Sequence, residues 1–212
     1  YDILGSIREP AGMFQEMMAD LKVSMLTFAP VSRNSNLLRA FESEGTDGLH
    51  QIDVCESAPY IDCRGGWEEY WSSRGKVRLE WARRERRLVV DGGARVKCLT
   101  DWAEVEPLVP SLFAVEASGW KGRRGSSIRQ SPETLRFYTR LIRSWAEQGA
   151  LRLFVLFQDE ALIAFQLCGF HEGVLTSLKI GSLEAYAHTA PGRVLQLSIL
   201  KWAFANPDVR VF

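Results

Sequence analysis

The run from Val174 to Phe204, VLTSLKIGSLEAYAHTAPGRVLQLSILKWAF, sets the plan of this chain. Val174, Leu175, Leu178 and Ile180, interleaved with Thr176, Ser177 and Lys179, read as a strand. A polar loop follows, and Pro191-Gly192 opens a helix, where proline presets φ and gives up no needed hydrogen bond. From Val194 to Phe204 nearly every position is apolar, which suits a helix buried on most faces. Gly192 has no Cβ, so a ligand can come close to the backbone. The free N–H groups and positive dipole end of that helix make an anion site suited to a phosphate or pyrophosphate. The same pattern also fits a plain strand-loop-helix connection that holds no ligand.

Upstream, three strands joined by tight turns form an antiparallel meander: Leu151–Phe157, Ala161–Phe170 and Val174–Ile180. Ser131-Pro132-Glu133 starts a helix with serine as cap and proline first, and Gly149 ends it. Before it lies Ser118–Ser127, a glycine-rich basic loop holding Trp120 and Lys121. It reads as a phosphate or acidic-substrate loop, or as a surface loop, and it lacks P-loop spacing because Lys121 precedes the glycines. A helix is expected over Ser111–Ala117, with Pro107 and Pro110 disturbing its approach and Glu116 near its end. Ala94–Leu99 reads as a strand.

The first part of the chain gives a helix over Ala11–Leu21, a strand over Lys22–Pro30, a helix over Asn34–Gly45 and a strand over Gln51–Cys55. Trp67–Leu88 reads as a long helix broken near Ser73 and Gly75. Its second half carries arginines 78, 83, 84, 86 and 87, a phosphate-facing patch, a partner surface or a solvated face. Asp91-Gly92-Gly93 is a turn, and the main boundary falls there, dividing 1–92 from 93–212.

At 212 residues, 46% apolar and 25% charged, the chain has the composition of a soluble globular protein of one domain or two. Its 26 basic side chains match 26 acidic ones, so no global field favours nucleic acid. No apolar run is long enough to cross a bilayer. Cys55, Cys63, Cys98 and Cys168 show neither disulfide nor zinc spacing, nor do His50, His171 and His188, so no metal is expected and a cytoplasmic setting fits. An opening at Tyr1 and an end within Val209–Phe212 read as a fragment trimmed at both ends.

The order of these pieces resembles the GNAT-like acyl-CoA N-acyltransferase superfamily, in particular a Fem-like bacterial branch that includes cellulose-biosynthesis-associated acetyltransferases. The residues that carry the resemblance are Arg83-Arg84, Arg87-Leu88, Glu116, Trp120-Lys121-Gly122, Phe137-Tyr138, Gly149, Leu151-Arg152-Leu153, Ala161–Ala164, Tyr186-Ala187 and Ala190-Pro191-Gly192. It implies an α/β (α+β) fold, a mixed twisted sheet flanked by helices, in two similar halves: a partial first half over 1–92 and an acetyltransferase half over 93–212. The CoA pyrophosphate site maps onto Pro191, Gly192 and Arg193. Ala190 stands where family members usually have serine, and a single Pro-Gly step replaces the longer glycine-rich loop.

The implied reaction is transfer of an acetyl or other acyl group from acyl-CoA to a primary amine, such as an amino sugar in polysaccharide or envelope synthesis. Glu116 is the candidate base, or else a structural glutamate; Tyr186 is the candidate acid, or packs beneath the loop. Lys179 stands as a cofactor contact or an edge lysine, Trp120 and Lys121 as acceptor contacts, and His188 as a proton carrier or an incidental loop residue. Two other functions fit the same residues. One is aminoacyl transfer from charged tRNA, which the balanced charge disfavours; the other is a non-catalytic scaffold of the same shape.

Overall fold

The computed structural model describes residues 10–26, 28, 31, 35–43 and 59–212. The chain divides into two compact units, Tyr1–Pro59 and Tyr60–Phe212. In the first, α1 (Pro10–Leu21) and α2 (Asn36–Ser43) are the described elements. Ser35 caps α2, its Oγ accepting from Leu38 N–H at 3.0 Å. Lys22 takes a left-handed φ of 53°. Its N–H donates to Ala19 O and that of Val23 to Met18 O, a Schellman ending for α1. The strand expected over Lys22–Pro30 is absent from the described residues. Val23 and Met25 are exposed there, and alternation makes no strand without a sheet to join. The strand expected over Gln51–Cys55 lies outside the described residues.

The second unit is built on a four-stranded antiparallel sheet, β1 (Arg95–Leu99), β2 (Leu151–Gln158), β3 (Ala161–His171) and β4 (Val174–Ser182), paired in that order. Two-residue turns join the last three strands. Asp159 and Glu160 make one, with φ of 48° and 64°, and Glu172 and Gly173 the other, with 46° and 78°. Both positive values match the right-handed twist of the strands they link. The chain returns to the margin of this sheet after its last helix, where Val211 makes isolated bridges, parallel to Val174 and antiparallel to Asp62; the sheet itself is antiparallel throughout rather than mixed.

Helices cover both faces. One face packs against α9 (Pro191–Ala205), with α3 (Trp67–Ser73) and α4 (Val77–Glu85) behind it. Phe154, Leu156, Ala164, Cys168 and Leu175 point into this layer against Val194, Leu195 and Ile199. The expected break before α4 is there, and beyond Glu85 the helix widens into a π-helical turn over Arg86–Asp91. The other face packs against α5 (Trp102–Val105), α6 (Val109–Ala117) and α8 (Pro132–Glu147). Leu153, Val155, Leu162, Phe165 and Leu167 meet Leu112, Phe113, Val115 and Ile142 there. Pro107 falls in a tight turn between α5 and α6, and Pro110 in the first turn of α6, where its missing N–H costs nothing. Ser131 caps α8, accepting from Thr134 N–H at 3.3 Å.

Register fixes what each residue of β4 faces. Ser177 pairs with Cys168, but Lys179 pairs with Leu167, so Leu178 is an extra residue in a bulge. The bulge reverses the alternation beyond it: Lys179 and Gly181 turn to the α6–α8 face, Ile180 and Ser182 to the α9 face. Truncating either buried layer tests the two-faced core. Leu153→Ala and Ile199→Ala should each lose about 2–5 kcal/mol, read from urea midpoints at unchanged slope. A loss below 1 kcal/mol at both, roughly a surface value, would contradict the packing.

Candidate active site

α6 delivers Glu116 into the protein, with its side chain 0% exposed. Its Oε2 accepts the backbone N–H of Ile128 at 2.9 Å. Its Oε1 makes no hydrogen bond and faces Lys121 Nζ at 3.4 Å. Lys121 belongs to α7 (Trp120–Arg123), a short helix inside the stretch read as a loop, and donates to Ile180 O of β4 at 3.1 Å. Ser118 adds a second tie, donating to Ser182 O and accepting from Glu184 N–H. Arg123 pairs with Glu184 as a third. Glu116 and Lys121 therefore stand together at the far end of β4. Gly181 allows this approach: a Cβ there would lie 2.6 Å from the Phe165 ring and 3.0 Å from Glu116 Cα.

Across the strand lies the start of α9. Ala190 precedes it in the left-handed region, φ 52° and ψ 54°, with no side-chain cap. Such a backbone costs about 1–2 kcal/mol in a residue other than glycine, and strain of this kind gathers at ligand sites. The N–H groups of Arg193 and Val194 turn back to Ala190 O at 3.0 and 3.2 Å. Pro191 has no N–H, and among the described residues Gly192 N–H makes no hydrogen bond. A Cβ on Gly192 would sit 3.9 Å from Ser182 Cβ and Oγ, so the helix start adjoins the end of β4 with room beside it.

The other sequence-selected residues divide. Tyr186 is half-buried in the 3₁₀ turns of Glu184–Thr189 and packs against the α9 layer. Trp120 is 56% exposed with the Arg124 guanidinium over its ring, and does not join Glu116. Lys179 does not join Pro191, Gly192 and Arg193. Its ammonium lies 5.1 Å from the Tyr138 ring centroid on the α8 side, because of the bulge at Leu178. The arginine run also divides: Arg83, Arg84 and Arg87 line a cavity with His188 and Thr189, while Arg78 and Arg86 do not.

Burial pushes the Cys168 thiol up to about 12 and the Cys98 thiol up to about 11. Burial raises Cys63 as well. None of the three described cysteines is a thiolate at neutral pH, so none offers a ready nucleophile. Among the described residues no group of three His, Cys, Asp or Glu side chains could hold a metal ion, and no helix is long and apolar enough to cross a membrane.

A strand edge thus lies beside an uncapped helix start, with a buried carboxylate opposite. A family model described as the acetyltransferase (GNAT) domain matches residues 75–212. The chain belongs to the GNAT acetyltransferase family. Its GNAT domain takes in α4, the sheet and α9. No curated protein matches it.

Solved structures similar to this GNAT chain include the C-terminal domain of a protein described as a lysylphosphatidylglycerol synthetase from Agrobacterium fabrum. They share 13% identity at a TM-score of 0.44, over 68% of this chain and 41% of that one. The chain thus spans less than half the length of that relative. A protein described as an acetyltransferase from Clostridium difficile is 8% identical, with TM-score 0.42 over 55% and 74% of the two chains. The PaiA N-acetyltransferase of Thermoplasma acidophilum, solved with coenzyme A, is 19% identical, with TM-score 0.36 over 51% and 72%. These are distant likenesses, and membership in the family rests on the sequence match.

Gly181→Ala should push β4 from α6 and cost about 1–3 kcal/mol. Lys121→Met should leave the buried Glu116 carboxylate without its facing positive charge and destabilise by about 1–3 kcal/mol. Urea unfolding of both variants checks this, and midpoints equal to wild type would refute the close packing around Glu116.

Proposed function

We propose that the chain is an N-acyltransferase carrying an acetyl or related acyl group from acyl-CoA to a primary amine. The observation that carries this reading is the uncapped start of α9, with Gly192 N–H free, beside a β4 edge that has no strand partner from Thr176 onward among the described residues. The helix start suits the pyrophosphate of the donor, with Pro191, Gly192 and Arg193 around it. The open strand edge suits the amide groups of the donor's pantetheine arm, which can hydrogen-bond as an added strand does. An amino sugar used in polysaccharide or envelope synthesis is the acceptor class we favour, with the Fem-like branch as the chain's place in the family and the cytoplasm as its setting. The division into a partial first half, 1–92, and an acetyltransferase half, 93–212, belongs to the same proposal.

In this scheme the acceptor amine attacks the thioester carbonyl. The C–N bond forms, the C–S bond breaks and the thiolate leaves. Glu116 takes the ammonium proton, with Lys121 between its Oε1 and the β4 backbone, and Tyr186 returns a proton to the thiolate sulfur. Trp120 and Lys121 are the proposed acceptor contacts. Lys179 sits on the α8 side and would serve the acceptor side of β4 rather than the cofactor.

A calorimetric titration with acetyl-CoA tests the reading. Wild type should bind with micromolar affinity, and Gly192→Asp, which adds bulk and a negative charge at the helix start, should bind at least about tenfold more weakly. Glu116→Gln should keep donor binding and lower kcat by about 10²–10⁴-fold. Equal donor binding by wild type and Gly192→Asp would remove the pyrophosphate assignment.

A further inference from the structure

Three of the five arginines on the helix that precedes the sheet converge on one cavity. It has a volume of about 150 Å³ and is lined by Arg83, Arg84, Arg87, Leu88, His188 and Thr189. That is below the ~300–1,000 Å³ of sites that enclose a whole small molecule, and it suits a single tetrahedral oxyanion. The chain leaves this cavity at Thr189 and enters α9 at Pro191, so its basic lining adjoins the positive end of that helix.

The carboxylates nearby are already engaged. Glu80 accepts from Arg84 Nε at 2.9 Å and also faces Arg193 NH1 at 3.7 Å. Glu85 binds Lys201 Nζ at 2.6 and 2.7 Å. The side chains of Arg83 and Arg87 have neither an ion pair nor a hydrogen bond among the described residues. Spaced one turn apart, they stand on one side of the helix and present two planar donor forks to the same space.

We propose that this cavity is a phosphate-binding site, in which Arg83, Arg84 and Arg87, with His188, hold a phosphomonoester carried by one of the enzyme's two substrates. The inference rests on the acyl-CoA reading for the identity of the donor. The phosphate is either the 3′-phosphate of CoA or a phosphate on the acceptor.

The test compares binding of CoA and of dephospho-CoA, which lacks only the 3′-phosphate, to the full chain. Three proteins are used: wild type, Arg83→Gln/Arg87→Gln, and Arg78→Gln/Arg86→Gln, which removes the same charge from the same helix outside the cavity. Inorganic phosphate at constant ionic strength is titrated into each while the arginine Nε–Hε resonances are followed. If the phosphate is the donor's, wild type and the Arg78/Arg86 variant prefer CoA by at least about tenfold, and the Arg83/Arg87 variant binds both alike. If it is the acceptor's, CoA and dephospho-CoA bind equally throughout, while inorganic phosphate shifts the Arg83 and Arg87 signals of wild type and binds the cavity variant more weakly. The proposal is overturned if inorganic phosphate shifts neither signal and any preference for CoA is the same in both double variants. Failure of wild type to bind CoA at all would remove the acyl-CoA reading alone, because the inorganic-phosphate arm still decides the cavity.

Discussion

A strand edge paired for only part of its length leaves backbone donors and acceptors that must find partners elsewhere. β4 is such a strand. Its inner side is zipped to β3, and its outer side is held by the returning chain only at its start, where Leu175 N–H donates to Val211 O at 2.8 Å. Among the described residues the outer side beyond that is open, apart from the Lys121 ammonium on Ile180 O and the Ser118 hydroxyl on Ser182 O. What flanks this open length gives it meaning: a buried glutamate at Gly181 on one face and an uncapped helix start at Ser182 on the other. Each lies beside a glycine. A side chain at 181 would separate β4 from α6, and one at 192 would fill the space beside the helix start.

Much of this architecture could be read from the residues because local chemistry and tertiary need agree. The meander is written in apolar runs separated by Asp159-Glu160 and Glu172-Gly173, residues placed where two positive φ values are required. α8 announces itself by Ser131-Pro132 and α9 by Pro191-Gly192. Lys179 shows where such reading stops. Strict alternation sets it beside Leu175 and Ser177, on the α9 face, but a single bulged residue at Leu178 carries it across the sheet. Nothing in LTSLKIG marks that bulge, since it depends on how β4 registers against β3.

The arginine run teaches a related lesson. Five cations on one helix give no clue as to which of them share a cavity, because that is decided by a segment a hundred residues later, the turn at His188-Thr189. The chain's formal net charge is zero, yet three of its arginines meet where the helix start of α9 already favours anions. The strand expected after α1 failed for the opposite reason. Val23 and Met25 alternate correctly, but a left-handed Lys22 ends the helix and no sheet edge receives them among the described residues.

Hydrogen exchange of the backbone with and without acetyl-CoA reports which backbone groups meet the donor. Peptides covering 175–183 and 190–195 should gain protection together when acetyl-CoA is added, while those covering α1 and α8 should not change. Protection that appears elsewhere, with β4 and the start of α9 exchanging as before, would contradict the account.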